Sequence, residues 1–345
     1  MKDFTKYTIK NNASCLEALR KLELEDTNQT LFVIDESDRL IGTLTDGDIR
    51  RGFIKGLQLD SSIDLFCFQN FSYINSEINV SEIRKLRNEG KKVIPKINKQ
   101  GQIEKVYDLS NLNSILPLNA IIMAGGRGER LRPLTDNTPK PMLLLGEKPI
   151  IEHNIDRLIS YGIDSITISV RYLSDQIINY FGDGSSKGIS INYIEESTPL
   201  GTIGCLSMLK EIKHNTLLVL NSDIFSNLNY EDFYLDFIDT NADMAVASFP
   251  YSVDIPYAIM EIKDDCIISF KEKPKNTYYA NAGIYMIKKE SLSNIPPNSF
   301  YNATDLMDSI INKGGKLIHS PITGFWIDIG KHDDYNKAKE ILKHL

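Results

Sequence analysis

The sequence predicts an α/β protein: a doubly wound, mostly parallel sheet over residues 118–345, preceded by a small α+β module over residues 1–115. Three observations predict it. From residue 119 onward, short apolar and β-branched runs alternate with segments of helical periodicity, the rhythm of βαβ units. The residues suited to chemistry fall just after those runs, where open parallel sheets collect their ligands. Before residue 115 a helix–strand–turn–strand unit occurs twice, about sixty residues apart, which reads as an internal duplication.

In the first module, Leu16, Ala18, Leu19 and Leu22 recur at helical spacing, with Ser14 placed to cap them. Residues 30–35 read as a strand, 36–38 as its turn, and 40–45 as a second strand ending in Asp46-Gly47-Asp48 at the start of a helix. After a loop at 59–72 the order recurs: helix 80–89, strand 92–97, turn 98–102, strand 103–107. Residues 110–117 are polar and end in proline, which marks a short linker.

The second domain opens on an apolar strand that stops at Gly125, Gly126 and Gly128. Glycines let the backbone approach a ligand, and consecutive amides in such a loop form a nest for anions. A Gly-Gly-x-Gly alone is an ordinary loop. Here a strand precedes it and Arg130, Arg132 and Lys140 follow, so it reads as a triphosphate cradle. Residues 149–159 are helical, 165–170 a β-branched strand, 174–181 a helix and 189–194 a strand. His153, alone on its helix, reads as a packed or solvated residue. The segment from Glu195 through Pro199, Leu200 and Gly201 follows a strand and is expected to open a helix. Gly201 would admit a flat base, and Glu196 could accept from an exocyclic amine.

Asp223 stands at the end of the apolar run 217–220, and Asp328 follows Phe325-Trp326-Ile327. One such Asp is commonly a helix cap. Two can share one Mg²⁺, with phosphate oxygens and water completing its octahedron. Between them, Phe270-Lys271-Glu272-Lys273-Pro274 reads either as a solvated turn or as part of a site. Asn281, Gly283 and nearby tyrosines form a plausible sugar-binding edge, or a plain strand with a bulge. Residues 300–312 and 332–344 read as closing helices.

These motifs resemble the sugar-1-phosphate nucleotidyltransferases over residues 118–345. The match lies in the run from Gly125 to Thr135, Lys140-Pro141, Pro199-Leu200-Gly201-Thr202, Asn221-Ser222-Asp223, Glu272-Lys273-Pro274, Asn281-Ala282-Gly283 and Trp326-Ile327-Asp328-Ile329-Gly330. The resemblance implies a Rossmann-like nucleotidyltransferase domain that joins an NTP to a sugar 1-phosphate and releases pyrophosphate. It implies catalytic phosphate contacts from Arg130, Lys140 and Lys273, with Mg²⁺ held by Asp223 and Asp328. Nucleotide contacts would come from Ala124, Gly125, Gly126, Gly128, Glu196 and Gly201, and sugar contacts from Glu272, Asn281 and the position of Ala258. Ala258 stands where the family commonly has glycine, which bears on which sugar fits. Ser222 replaces a usual glycine beside the metal ligand.

The first module resembles a tandem CBS (Bateman) pair, best matched at Gly42-Thr43-Leu44-Thr45-Asp46-Gly47-Asp48. That resemblance implies a regulatory nucleotide held by Thr45 and Asp48. In the second repeat Lys105, Asp108 and Asn111 depart from the pattern, and Asp108 would repel a phosphate. A packing and dimerising role is the alternative, so a homo-oligomer is expected. The pairing of both modules resembles CBS-linked glucosamine-1-phosphate and mannose-1-phosphate guanylyltransferases, making GTP the favoured nucleotide ahead of UTP, CTP and dTTP. A non-catalytic nucleotide sensor and a transferase acting on a non-sugar phosphate are the competing readings.

Composition narrows the class. At 345 residues, 42% hydrophobic and 25% charged, the chain can bury full cores in two or three domains. A net charge of −7 argues against a general affinity for nucleic acid or anionic lipid, so the basic cluster near Arg130 suits a small anion. Four scattered cysteines, no signal-peptide core and no apolar run near the ~20 residues of a membrane span lead to the expectation of a cytoplasmic protein.

Overall fold

The computed structural model describes residues 4–24, 29–75 and 78–344. The chain divides into two compact units, Met1–Leu116 with Ser160–Gly162, and Pro117–Ile159 with Ile163–Leu345.

The first unit contains β1 (Thr8–Lys10), α1 (Cys15–Leu24), β2 (Thr30–Ile34), β3 (Leu40–Thr45), α2 (Asp46–Ile54), α3 (Val80–Asn88), β4 (Val93–Ile97) and β5 (Ile103–Asp108). β1 runs parallel to β2, β2 antiparallel to β3, and β4 antiparallel to β5. Strand side chains alternate between faces, and β2 uses both. Leu31 and Val33 join Cys15, Ala18, Leu44 and Ile49 in one cluster, while Phe32 joins Tyr7, Val93 and Ile103 in another. Burial on both sides is why β2 reads as an unbroken apolar run. The helix starts are set by short polar side chains. Ser14 and Glu17 exchange hydrogen bonds ahead of α1, and Asn79 accepts from the Glu82 amide at the head of α3.

The second unit contains β6 (Asn119–Ala124), the two-residue strands β7 (Leu144–Leu145) and β8 (Lys148–Pro149), α4 (Ile150–Ser160), β9 (Ser165–Val170), α5 (Ser174–Phe181) and β10 (Ser190–Glu195). It continues through β11 (Thr216–Asn221), β12 (Ile224–Ser226), α6 (Tyr230–Asp239), β13 (Met244–Asp254), β14 (Ile259–Lys263), β15 (Cys266–Lys271) and β16 (Lys275–Lys288). It closes with α7 (Ala303–Asn312), β17 (Leu317–Pro321), β18 (Trp326–Asp328) and α8 (His332–Leu342).

Its core is a seven-stranded sheet in the order β10-β9-β6-β11-β16-β13-β17. β6, β9, β10 and β11 are parallel to one another, β17 is parallel to β13, and β16 runs antiparallel to both of its neighbours. The exception has a simple cause. β13 runs out past the sheet and β16 runs back beside it, Asp254 opposite Lys275, so the two are arms of one antiparallel ribbon joined through the β14–β15 hairpin. In β11, Leu217 to Leu220 are all fully buried; Leu217 and Val219 join Leu306 and Ile310 of α7 in one cluster. Burial of Leu218 and Leu220 as well shows both faces covered, as a doubly wound sheet requires.

Beyond the sheet, the outer halves of β13 and β16 and the whole β14–β15 hairpin are exposed. Asp264 and Asp265, at φ 49° and 59°, form the left-handed two-residue turn between β14 and β15. The segment after Gly201 departs from the expected helix: it forms a 3-10 turn over Gly204–Met208.

Candidate functional site

The chain runs outward from β6 to β9 and β10, then returns to β11 on the other side of β6. That reversal is a topological switch point, where strand-end loops part and leave a crevice. A cleft of about 270 Å³ lies there. Its wall follows the strand tips: Gly125 and Gly126 after β6, Arg171 after β9, Glu196 and Gly201 after β10, Asp223 after β11. Lys140 also lines it.

The loop after β6 is shaped by its glycines. Gly128 sits at φ 65°, and a Cβ there would lie 2.8 Å from the Lys140 Cβ and 3.1 Å from the Thr135 methyl. Both handedness and space therefore demand glycine. The Thr135 hydroxyl donates to the Gly128 carbonyl at 2.9 Å and fixes the turn. Ala124 is buried at the end of β6, so only its backbone can serve a ligand.

Lys140 heads a short 3-10 turn, is 8% exposed, and donates to the Asp223 carboxylate. Its ammonium is also 3.8 Å from Asp328 Oδ1. The two acids come from positions more than a hundred residues apart in the chain. A two-stranded ladder joins them: β12 pairs antiparallel with β18, placing Ile224 opposite Asp328, and the Ile329 amide donates to the Asp223 carbonyl at 3.1 Å. Asp328 Oδ1 is buried without a hydrogen-bond partner. Burial and the neighbouring Asp223 carboxylate push the Asp328 carboxyl above its ordinary value, against the pull of Lys140 and Arg130. Arg130 reaches this corner over Gly330, where a Cβ would lie 3.2 Å from the Arg130 Nη2.

On the other side of β6, Glu196 is buried and held at both oxygens, by the Ser169 hydroxyl and by the Leu200 amide at 3.2 Å. Gly125 lies against it; a Cβ there would be 3.3 Å from Glu196 Oε1. Gly201 has a packing role as well as a place in the cleft wall. At φ 78°, its Cβ would come 2.6 Å from the Tyr301 carbonyl.

The structure thus gathers Gly125, Gly126, Lys140, Glu196, Gly201 and Asp223 around one cleft, with Asp328 and Arg130 adjoining through Lys140 and Gly330. It does not bring Ala258, Glu272 or Lys273 into that wall. All three are exposed on the β13–β16 extension, with Lys273 at φ 41°. Asn281 stands at the base of this extension, where its Oδ1 accepts from the Gly283 amide at 2.9 Å. Gly283, at φ 72°, leaves room for Asn221, to whose Nδ2 a Cβ would come within 2.7 Å. His153 is packed: its Nε2 lies 2.8 Å from the Leu145 carbonyl and its ring meets Phe225 edge-on. Burial pushes the Cys205 thiol up to about 12, so it stays protonated.

In the first unit, Thr45 and Asp48 form a capping box for α2. Asp48 Oδ2 accepts from the Thr45 hydroxyl at 2.6 Å and amide at 2.9 Å, and Asp48 Oδ1 pairs with Arg51 at 2.6 Å. Thr45 faces a pocket of about 360 Å³ within this unit; Asp48 is not part of its wall.

Sequence reasoning missed Arg171. A single arginine after a strand resembles any solvated charge, and the usable signal was positional: it immediately follows the β-branched run 165–170, at the carboxyl end of a strand.

Known proteins resemble the second unit in sequence and in fold. A probable mannose-1-phosphate guanylyltransferase of Oryza sativa subsp. japonica is 33% identical over 229 residues, covering 63% of this chain and 63% of the relative. The chain therefore spans just under two thirds of that relative's length. A D-glycero-alpha-D-manno-heptose 1-phosphate guanylyltransferase of Aneurinibacillus thermoaerophilus is 31% identical over 239 residues, 66% of this chain and 99% of the relative. HddC from Yersinia pseudotuberculosis, in a crystal structure complexed with GMP-PN, superposes with a TM-score of 0.52 at 26% identity, covering 65% of this chain and 99% of that one. Residues 119–344, which include every strand of the seven-stranded sheet, match the nucleotidyl transferase family, and the chain belongs to it.

Proposed function

We propose that this chain transfers the nucleoside monophosphate of an NTP, with GTP preferred, to a sugar 1-phosphate of the glucosamine- or mannose-1-phosphate type and releases pyrophosphate. The observation that carries the reading is the meeting of Lys140, Asp223 and Asp328 beside a glycine-lined cleft at the strand switch point. The guanylyltransferase relatives support GTP and a sugar 1-phosphate.

In this reading an oxygen of the sugar phosphate attacks the α-phosphorus of the NTP. The bond from that phosphorus to the β-phosphate oxygen breaks, and pyrophosphate leaves with the electron pair. The nucleophile is already an anion at neutral pH, so repulsion rather than deprotonation is the barrier. Cations and amides fixed in advance lower it. Lys140 supplies ammonium donors at the acidic pair, Arg130 a guanidinium beside it, and the loop at Gly125 and Gly126 backbone N–H groups for phosphate oxygens.

Asp223 and Asp328 fit a magnesium ion. Both are hard oxygen donors, and the buried Asp328 Oδ1 accepts no hydrogen bond, with the Lys140 ammonium standing off at 3.8 Å. Mg²⁺ characteristically takes one or two carboxylates and completes its shell with phosphate and water. Bound there, it would neutralise charge on the triphosphate. Lys273 as a second phosphate contact, and Glu272, Asn281 and the Ala258 position as a sugar edge, rest on their motifs. Those on the β13–β16 extension need substrate to bridge it and the cleft.

The test is pyrophosphate release with Mg²⁺, each NTP in turn and a panel of sugar 1-phosphates. GTP with a hexose 1-phosphate is expected to give the fastest release. No release above the protein-free control with any pair would overturn the reading.

For the first unit, we propose a CBS-type role in binding a regulatory nucleotide. What supports it is its pocket, where Thr45, Gly47, Arg50, Lys91 and Lys92 offer hydroxyl, amide and cationic partners for phosphate, with Phe68 nearby for a base. A homo-oligomer is proposed with it. Calorimetric titration with adenine and guanine nucleotides should show a site that Lys92→Ala weakens while pyrophosphate release without effector is unchanged. An unaltered affinity in Lys92→Ala would count against this pocket.

A further inference from the structure

Among the described residues, Arg171 is the one cation in the cleft wall apart from Lys140, and it is placed differently. It follows β9, on the far side of β6 from β11 and Asp223. Strands lie about 4.8 Å apart, so its strand tip is roughly 10 Å from that of β11. A nucleotide laid across these tips with its phosphates at Lys140 carries its base to the β9 and β10 end. There Arg171 and Glu196 flank Gly125, whose added Cβ would lie 3.5 Å from the Arg171 Cβ and 3.3 Å from Glu196 Oε1.

The surroundings of Arg171 are fixed while its own head is uncommitted. Tyr172 is tied down by its hydroxyl, whose one proton lies between the carbonyls of Thr135 at 3.2 Å and Asp136 at 2.9 Å, and Arg127 lies over its ring. Glu196 is held at both oxygens. The Arg171 guanidinium makes no hydrogen bond or ion pair to another side chain among the described residues, although the residue is half-buried. A donor fork in a cleft wall, between fixed neighbours and without a side-chain partner among the described residues, is poised for a ligand.

We propose that Arg171 selects the base of the nucleotide, donating two N–H groups to O6 and N7 of guanine, with Glu196 accepting from the N1–H and N2–H₂ edge. This rests on the transfer reading above and specifies how its nucleotide is chosen. Guanine presents two adjacent acceptors to the fork, and arginine matches them in parallel. Adenine would turn its N6–H₂ donor toward the guanidinium and its N1 lone pair toward the carboxylate, so both residues reject it. Pyrimidines have no N7. Each oxygen of Glu196 keeps lone-pair capacity after its one protein bond, so the carboxylate can still accept.

The test measures pyrophosphate release for the full chain with GTP, ATP, UTP and 7-deaza-GTP, which carries C–H in place of N7. In parallel, calorimetry measures binding of the same nucleotides, and melting temperature reports folding. Arg171→Ala is expected to lower kcat/KM for GTP roughly 5- to 150-fold, leave ATP and UTP nearly unchanged, and melt as the wild type. Wild type should favour GTP over 7-deaza-GTP; Arg171→Ala should treat them alike. Arg171→Lys, which keeps the charge and loses the fork, should fall between. Equal losses for all nucleotides would place the guanidinium on phosphate and overturn the proposal, as would an intact GTP preference in Arg171→Ala. Should the protein bind nucleotides without turning them over, the transfer reading fails. The base assignment is then judged by binding alone: discrimination lost in Arg171→Ala supports it, and discrimination unchanged overturns it.

Discussion

Lys140 shows what one side chain can hold in place. Its ammonium, nearly buried, bridges two carboxylates that would otherwise repel one another across the β12–β18 ladder. Removing it leaves Asp328 Oδ1 and Asp223 facing each other with Arg130 as the remaining cation identified there. Lys140→Ala is expected to lower turnover at least 100-fold, as loss of a preorganised charge-stabilising donor does. Pyrophosphate release beside an unchanged far-UV spectrum checks this, and near-wild-type turnover would contradict it. At Gly128 the constraint is steric. Gly128→Ala puts a methyl within 2.8 Å of the Lys140 Cβ on a left-handed backbone, so it should cost about 1 kcal/mol or more in denaturant unfolding and also displace Lys140. The acids were legible in the sequence because each follows an apolar strand. Their meeting was expected from the shared metal role that the resemblance implies; what no local pattern encodes is the pairing of Ile224 with Asp328 that brings it about. Gly201 was legible as a needed glycine; its contact with the Tyr301 backbone is a tertiary fact.

At the scale of elements, the ends of helices do much of the positioning. Thr45 closes a reciprocal cap on α2, so Thr45→Ala should destabilise the first unit by about 1 kcal/mol, read from its unfolding transition. On α4, Glu152 and Asp156 both pair with Lys187 at 2.7 Å, and Tyr180 donates to Glu152 at 2.7 Å. Burial opposes ionisation of both acids, yet the Lys187 ammonium and the other donors outweigh it and hold both carboxyls below their ordinary values. Burial likewise opposes the charge on Lys187, and the two carboxylates overcome it and raise its value. Folded carboxyls titrating below the unfolded ones stabilise the protein above pH ~5, and that contribution disappears as pH falls through the folded values. The raised lysine contributes below pH ~10 and loses its share as pH climbs past its folded value. Lys187→Met should therefore be less stable than wild type by about 1–3 kcal/mol near neutrality, with the gap shrinking below pH 4. A gap constant from pH 3 to pH 8 in urea unfolding would contradict this.

Across the whole molecule, alternating strands and helices announced a doubly wound sheet, and the switch point told where ligands gather. β16 broke the parallel pattern because it returns along β13 as the second arm of one long antiparallel ribbon, a pairing the apolar runs do not reveal. The β13–β16 extension was equally hidden, since its tyrosines and isoleucines look like core in sequence yet stand exposed. Glu272 and Lys273 read as site residues through their motif, and they stand exposed on this extension, outside the cleft wall. The account's central claim is that the strand-end cleft takes a triphosphate together with magnesium at Asp223 and Asp328. Calorimetric titration of GTP with and without Mg²⁺, on wild type and on an Asp223→Asn, Asp328→Asn double variant, tests it most directly. The account predicts that Mg²⁺ tightens GTP binding to wild type and that the double variant loses this dependence; an equal Mg²⁺ effect in both proteins would contradict it.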